Sequence, residues 1–317
     1  MSPMPFAFFK GKVVPISEAT ISIASHSLQY GSTCYAGLRG HIRDGVARVF
    51  RLQDHHQRLM RSMQIMGWDF EISFEDFKKT LQDLIIRNQP TGDFYIRPFV
   101  FSDTEMLQLN YSKLTFHLGI YMVAFGPLFD PEKGLKMKIS PWKKIADDAI
   151  PTKAKAGGCY LNSALATTDA IQSGFDEALM TNREGQIVEA SAANILLRYR
   201  NRIIVPPLEG VLDGITIRSV LELLKDEGIT VEVQPIDRSM ILSCDELLIT
   251  GTAAQISHVE SVEGRLISEK RGPLCKHLQA RMQRILNKED PKSEKWVTDF
   301  QIKGVKSVNQ SKEECLV

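Results

Sequence analysis

Two lysines stand among small residues in Lys153-Ala154-Lys155-Ala156-Gly157-Gly158-Cys159-Tyr160, just ahead of a stretch with helical periodicity. With so little bulk beside it, a lysine amine there is open to close approach by another molecule. The amine attacks carbon only when deprotonated, and burial or a neighbouring cation lowers its pKa toward that state. The alternative is an exposed loop with two ordinary surface lysines. Two further stretches suit an anion. In Leu212-Asp213-Gly214-Ile215-Thr216-Ile217-Arg218 a glycine turn opens a helix, so free N–H groups and a hydroxyl meet an anion at the positive helix end. In Thr250-Gly251-Thr252-Ala253-Ala254 an apolar strand runs into two hydroxyls around a glycine that permits close backbone approach. These also read as a helix cap and a strand-ending turn, and neither has the Gly-Lys-Ser/Thr spacing of a P-loop. Glu189 ends the short strand Ile187-Val188-Glu189 and precedes Ala190, Ser191, Ala192 and Ala193. A carboxylate buried among such small neighbours requires a donor, with a cross-strand ion pair as the simpler alternative.

Metal chemistry is not expected. His55-His56 reads as part of a polar helical surface, and the chain has no HExxH and no carboxylate-glycine calcium loop. Five cysteines, Cys34, Cys159, Cys244, Cys275 and Cys315, are scattered without a CxxC and read as reduced thiols.

The elements that must position these residues fall into two groups. Over residues 1–125, short strand-like runs alternate with two helical patterns, which predicts a small α/β unit. Tyr35 to Ile42 and Val46 to Phe50 flank the turn Arg43-Asp44-Gly45; Ser73 with Asp76 resembles a capping box ahead of Phe74, Phe77, Leu81, Leu84 and Ile85. Phe94 to Phe101 and Leu114 to Phe125 read as two more strands. Residues 126–134 gather Gly and Pro at both ends and read as an interdomain loop. Residues 135–302 then alternate short strands with helices over Tyr160 to Ser173, Thr216 to Glu227 and Leu274 to Leu286, a pattern that predicts a larger barrel-like α/β unit. The fold class is thus α+β in two domains, and the polar, aperiodic residues 303–317 read as a mobile tail.

At 317 residues, 43% hydrophobic and 24% charged with a formal net charge of +1, the chain has the composition of a soluble globular protein. Its densest basic stretch, Lys143-Lys144 to Lys155, is interleaved with apolar and acidic residues, so no nucleic-acid partner is expected. No window approaches the ~18 consecutive apolar residues of a membrane span. The apolar, Pro-broken start lacks a charged leader, which points to a cytoplasmic protein.

A lysine, a carboxylate and two anion-binding turns form the set that pyridoxal phosphate requires. Lys155-Ala-Gly-Gly-Cys-Tyr160-Leu-Asn-Ser, Glu189-Ala-Ser-Ala-Ala-Asn194, Gly214-Ile-Thr216 and Thr250-Gly-Thr-Ala253 occur in the order and approximate spacing of branched-chain aminotransferases of fold type IV. The small-domain stretches Ser25-His26-Ser27-Leu28-Gln29-Tyr30-Gly31, Phe50-Arg51 with His56-Gln57-Arg58-Leu59, and Tyr95-Ile96-Arg97-Pro98 resemble the same family, so the likeness covers roughly residues 7 to 300. It implies pyridoxal 5'-phosphate as cofactor, with Lys155 similar to the Schiff-base lysine, Glu189 to the partner of the pyridine nitrogen and Tyr160 to the residue bonded to the ring oxygen. Arg58, Gly214, Ile215, Thr216 and Thr252 resemble the phosphate site. Tyr30, Tyr35, Tyr95, Arg97 and the Thr252-Ala253 turn resemble the substrate pocket, and Lys153 matches nothing and reads as a surface residue.

The resemblance implies ping-pong transamination between branched-chain L-amino acids and 2-oxoglutarate, giving branched 2-oxo acids and L-glutamate. Tyr30's counterpart in the family reaches in from a neighbouring subunit, so a homodimer or higher homo-oligomer is implied. Tyr35 stands where the family often has Phe, Cys159 where it often has Asn, and Gly126-Pro127-Leu128-Phe129 where many bacterial members have Trp and Tyr. A D-amino-acid aminotransferase or an aminodeoxychorismate lyase would use the same lysine and acid, but their lysine segments lack Ala-Gly-Gly-x-Tyr. A cofactor-binding homologue without turnover is the remaining alternative.

Overall fold

The computed structural model describes residues 2–302, so the tail assigned to 303–317 and Cys315 lie outside the described residues. Two sheets organise the chain. The first is antiparallel and runs, edge to edge, through Val297–Gln301, Val46–Phe50, Leu38–Arg43, Phe94–Ser102, Phe116–Ala124, Phe6–Phe9 and Lys12–Pro15, with Thr33–Tyr35 paired onto Phe94–Ser102. Both of its tight hairpins use two residues at positive φ, Lys10-Gly11 and Asp44-Gly45, the pattern whose twist matches that of the flanking strands.

The helices Leu52–Met66 and Phe74–Asn88 accompany this sheet. The second buries Phe77, Leu81, Leu84 and Ile85, each worth about 1.5–3 kcal/mol relative to exposure. Its Ser73 cap accepts from the Asp76 N–H at 3.0 Å and donates to Asp76 Oδ2 at 2.6 Å. In Leu52–Met66 the buried side chains Leu52, His55, His56, Leu59, Ser62 and Met63 recur at helical spacing, and Gly67 ends the helix at positive φ. His55 and His56 therefore lie on the inward face, contrary to the polar surface expected of them. The reading failed because histidine, paired or neutral, fits a helix's buried stripe as well as its wet one.

The second sheet runs Ile187–Ala190, Glu177–Thr181, Leu135–Ile139, Gln255–Val262, Glu246–Gly251, Asn194–Tyr199, Arg202–Val205 and Val231–Val233, mixing parallel and antiparallel pairs. Its edge strand Ile187–Ala190 leads through a three-residue bend into Asn194–Tyr199, and the Ala190 N–H donates to Ala193 O, so the sheet curls round on itself. Leu135, Met137, Leu179, Ile195, Leu197, Ile249 and Val259 belong to one apolar cluster of this unit. A second cluster joins its strands to the helices Ile215–Asp226 and Pro273–Asn287.

Residues 297–301, which the sequence reading placed with the second unit, hydrogen-bond along Val46–Phe50 in the first sheet. Trp296 and Phe300 drive that return: both are buried, and Trp296 packs on Phe50 and under the Arg51 guanidinium.

Candidate active site

The segment carrying Lys155 is tied to the first unit by its backbone. The Lys155 N–H donates to Ser62 Oγ at 3.1 Å, its carbonyl accepts from the Tyr35 N–H at 3.0 Å, and Cys34 bridges to Ala156. Gly157 is required for this approach, since a Cβ there would stand 2.1 Å from Thr33 Oγ1. Helix Tyr160–Gln172 begins at once, so Tyr160 is set beside the lysine: Lys155 Nζ donates to Tyr160 Oη and lies 4.6 Å and 4.8 Å from the Tyr160 and Tyr35 ring centroids. Lys155 keeps some accessible surface in a recess, with protein packed densely around the rest of it. That desolvation, followed by the fields of Arg58, Arg97 and Lys144 and opposed by Glu189, lowers its pKa well below the usual lysine value. Burial likewise pushes the Tyr160 hydroxyl up to about 12, so it stays protonated at neutral pH.

Glu189, 4% exposed, occupies one end of this recess. The ladder between Ile187–Ala190 and Glu177–Thr181 shifts register between Ile187 and Glu189, an irregularity of the kind that re-aims a side chain near a functional site. Glu189 is ion-paired with Lys144. Desolvation raises the Glu189 pKa, and Lys144, Lys155 and Lys153 work against that rise.

At the other end stands a group of donors. Arg58, 7% exposed, projects from helix Leu52–Met66 toward the start of Ile215–Asp226; Nη1 donates to Asp213 O at 3.3 Å and Nε has no partner. Gly214, which caps that helix without a side-chain bond, cannot be larger, since its Cβ would lie 2.0 Å from Asn194 Oδ1. Asn194 in turn holds the turn by donating to Leu212 O at 3.1 Å. Helix N–H groups without a side-chain cap, buried Thr216, Thr252 and an incompletely paired guanidinium thus converge where an anion would be stabilised. The two helices are clamped by Arg51, which donates to Glu222 Oε1 at 2.9 Å, Ser219 Oγ at 3.1 Å and Asp54 at 2.8 Å, and by Arg218 to Asp54 at 3.0 Å. A cavity of about 340 Å³ behind Thr216 and Thr252, bounded also by His55, Arg39 and Phe129, reaches this end of the site but not Lys155.

Arg97 and Tyr95 form the third side. The Arg97 guanidinium lies 4.3 Å from the Tyr35 ring centroid and 5.3 Å from that of Tyr95, and its Nε has no partner. Tyr95 fits only because residue 37 is glycine, whose Cβ would meet its Oη at 1.6 Å. Tyr30 stands apart: it is 38% exposed, rests on His26 and donates to Leu107 O at 3.0 Å.

Two functional candidates escaped the sequence. Arg39, 5% exposed, donates to Ala253 O at 3.0 Å and Gly126 O at 2.7 Å, clamping the Thr252-Ala253 turn to the loop that begins at Gly126. An arginine within the strand stretch Gly37-Leu38-Arg39-Gly40 was the available signal. Lys144 was counted only as part of the densest basic stretch, and Lys153 was read as a surface residue; the latter is half-buried and donates to Leu208 O. Cys159 and Cys34 are buried, and burial raises both thiol pKa values, which leaves them protonated. Among the described residues no cluster of three or more His, Cys, Asp or Glu could hold a metal.

Residues 40–262 match the family model for amino-transferase class IV. The chain is 34% identical over 300 residues to a probable branched-chain-amino-acid aminotransferase of Aquifex aeolicus, covering 93% of this chain and 96% of that one. Among solved structures it resembles the branched-chain aminotransferase of the archaeon Thermoproteus uzoniensis with norvaline, at a TM-score of 0.90 and 32% identity over 94% of this chain and 99% of that one. It also resembles the T.th. branched-chain amino acid aminotransferase complexed with N-(5'-phosphopyridoxyl)-L-glutamate, at a TM-score of 0.88 and 29% identity over 93% and 98% of the two chains.

Proposed function

The chain belongs to the class IV aminotransferases, and from that premise we propose that it transfers the amino group of leucine, isoleucine or valine to 2-oxoglutarate, with Lys155 at the reacting centre. One observation carries the reading: an amine biased toward neutrality by burial and flanking cations lies between a buried carboxylate at one end and incompletely paired anion donors at the other. Pyridoxal phosphate, the cofactor of this family, fits that arrangement. Arg58, with its orphaned Nε, the Ile215 and Thr216 N–H groups and Thr252 suit its phosphate; Glu189 suits its ring nitrogen and Tyr160 its ring oxygen.

When bound, the cofactor supplies a carbonyl carbon to accept the amino group and a ring that withdraws electrons from the bonds being broken. The residues supply the rest. Lys155, its pKa lowered by burial, would be the covalent anchor and, once released, the base that moves a proton at the substrate α-carbon. Glu189 holds a proton on the ring nitrogen, and Tyr160 keeps the lysine amine in place through its hydroxyl. Arg97, Tyr95 and the Ala253 turn would meet substrate carboxylates, with the Tyr35 ring beside Arg97 as one wall. The relatives' complexes, one with norvaline and one with a phosphopyridoxyl-glutamate, support a pocket that takes both an apolar and an acidic side chain.

A homodimer is part of the same reading. Ile23 (82% exposed), Leu28, Leu107 (79%) and Leu109 form an apolar surface on two loops joined by the Ser25–Glu105 bridge, with Tyr30 among them. Such a surface is suited to burial against a second copy. No helix among the described residues is long and apolar enough to cross a membrane, and the four described cysteines are free.

The test is the absorbance of the purified, cofactor-loaded protein on adding L-leucine and then 2-oxoglutarate. Leucine is expected to convert the bound cofactor and 2-oxoglutarate to restore it, whereas Lys155→Ala does neither. Conversion by D-alanine alone would move the chain to D-amino-acid transfer; bound cofactor that no amine converts would leave a binder without turnover.

A further inference from the structure

Lys144 has no named role in the scheme above, yet its side chain is only 12% exposed and its ammonium contacts Glu189 Oε1. Its segment is pinned from two sides. The Lys144 N–H donates to Thr181 O at 2.8 Å, Asn162 Nδ2 donates to Lys143 O at 3.0 Å, and the Ile145 N–H donates to Asn162 Oδ1 at 3.1 Å. The ammonium is therefore held at the end of strand Glu177–Thr181, next to the strand that carries Glu189. A void of about 20 Å³ lined by Lys144, Cys159 and Tyr160 has room for about one water. With so little of either side chain exposed, bulk solvent screens the pair weakly.

We propose that Lys144 is a positioning residue that keeps the buried Glu189 ionised and leaves its second oxygen free to accept from the ring nitrogen of the cofactor. A carboxyl enclosed to this degree favours its neutral form, and a protonated Glu189 would offer a donor where an acceptor is needed. Three lysines and a tyrosine act on it. Lys155 is itself biased to neutrality, Lys153 turns its ammonium to Leu208 O, and Tyr160 keeps its proton, so Lys144 is the cation in contact. Lys144 also works on the far partner: its field is one of those that lower the Lys155 pKa. One cation thus favours the charged form of the acid and the neutral form of the base. The inference rests on the proposed cofactor reading.

The first measurement uses cofactor-free protein and does not depend on that reading. Infrared difference spectra compare wild type, Lys144→Met and Lys144→Arg, with Lys144→Met/Glu189→Gln to assign the band. At pH 7 a protonated-carboxyl stretch is expected in Lys144→Met, absent from wild type and Lys144→Arg, and lost in the double variant. The second follows the leucine half-reaction of the loaded protein against pH. In Lys144→Met the Glu189 pKa rises, so the rate falls at least about tenfold at pH 7 and recovers as pH climbs through the raised value, a tenfold change corresponding to about one pH unit. Lys144→Arg keeps the wild-type profile. A Lys144→Met protein without the infrared band, a pH profile unchanged in Lys144→Met, or a Lys144→Arg protein that behaves like Lys144→Met overturns the proposal. Wild type that takes up no cofactor sinks the functional reading instead, and the infrared result still decides the Lys144–Glu189 pair.

Discussion

The two ends of the candidate site solve opposite electrostatic problems. At the carboxylate end the protein balances its own charge, because the half-buried Lys144 contacts the buried Glu189. At the other end it leaves charge unbalanced: the Arg58 guanidinium is buried with one carbonyl acceptor and an orphaned Nε, beside a helix start with no side-chain cap. Burying a cation without a counter-ion is costly. The balanced end is built to present a fixed charge and a single free acceptor, whereas the unbalanced end is built to be completed by an anion brought from outside. Lys155 lies between them and takes its lowered pKa from burial first and then from the cations around it.

Four substitutions break or sharpen that contrast. Lys155→Ala removes the group that both ends serve, and single-turnover conversion of bound cofactor by leucine should slow by at least about a thousandfold, within the range general acid–base groups supply. Glu189→Gln at the balanced end should cut the same rate on the order of a hundredfold while changing cofactor affinity by less than about threefold, since the phosphate donors are intact. Arg58→Met at the unbalanced end should do the reverse. Loss of a charge-assisted bond worth about 1.5–3 kcal/mol weakens cofactor binding roughly 10- to 100-fold by equilibrium titration, with the rate at saturation much less affected. If these last two variants show the same split between affinity and rate, the contrast between the ends is wrong.

The smallest effect concerns stability. A lysine whose folded pKa lies below its unfolded value leaves the native state with fewer bound protons, so stability is lowest at low pH and rises between the depressed pKa and about 10.4. Lys155→Met removes that penalty. Without cofactor, the variant should melt above wild type at pH 7 by about 2 °C per kcal/mol recovered, with the gap closing as pH approaches 10. A gap that widens with pH would show that the amine is not depressed.

Much of this was legible in the sequence, for identifiable reasons. Lys155, Glu189, Gly214, Thr216 and Thr252 are announced by runs of small residues and turns, which exist because larger side chains would collide, as the Cβ positions at Gly157 and Gly214 show. Lys144, Arg39 and the histidines of Leu52–Met66 were misread or missed. Polar residues such as these take on their roles only through partners distant in the chain, Glu189 for Lys144 and Ala253 for Arg39. The strand Val297–Gln301 escaped for the same reason: nothing local marks where an edge strand will pair.

That strand bears on how the protein can be made. Its partner Val46–Phe50 leaves the ribosome early, while Val297–Gln301 is among the last described residues to emerge. Throughout elongation the nascent chain therefore carries an open, apolar sheet edge with Phe50 beside it, a template for pairing with other chains. Premature termination before residue 296 would leave that edge open permanently and would also remove the Trp296 ring and carbonyl that engage Arg51. Truncated products should aggregate rather than persist as folded fragments, because that sheet edge closes only once synthesis has passed Val297–Gln301.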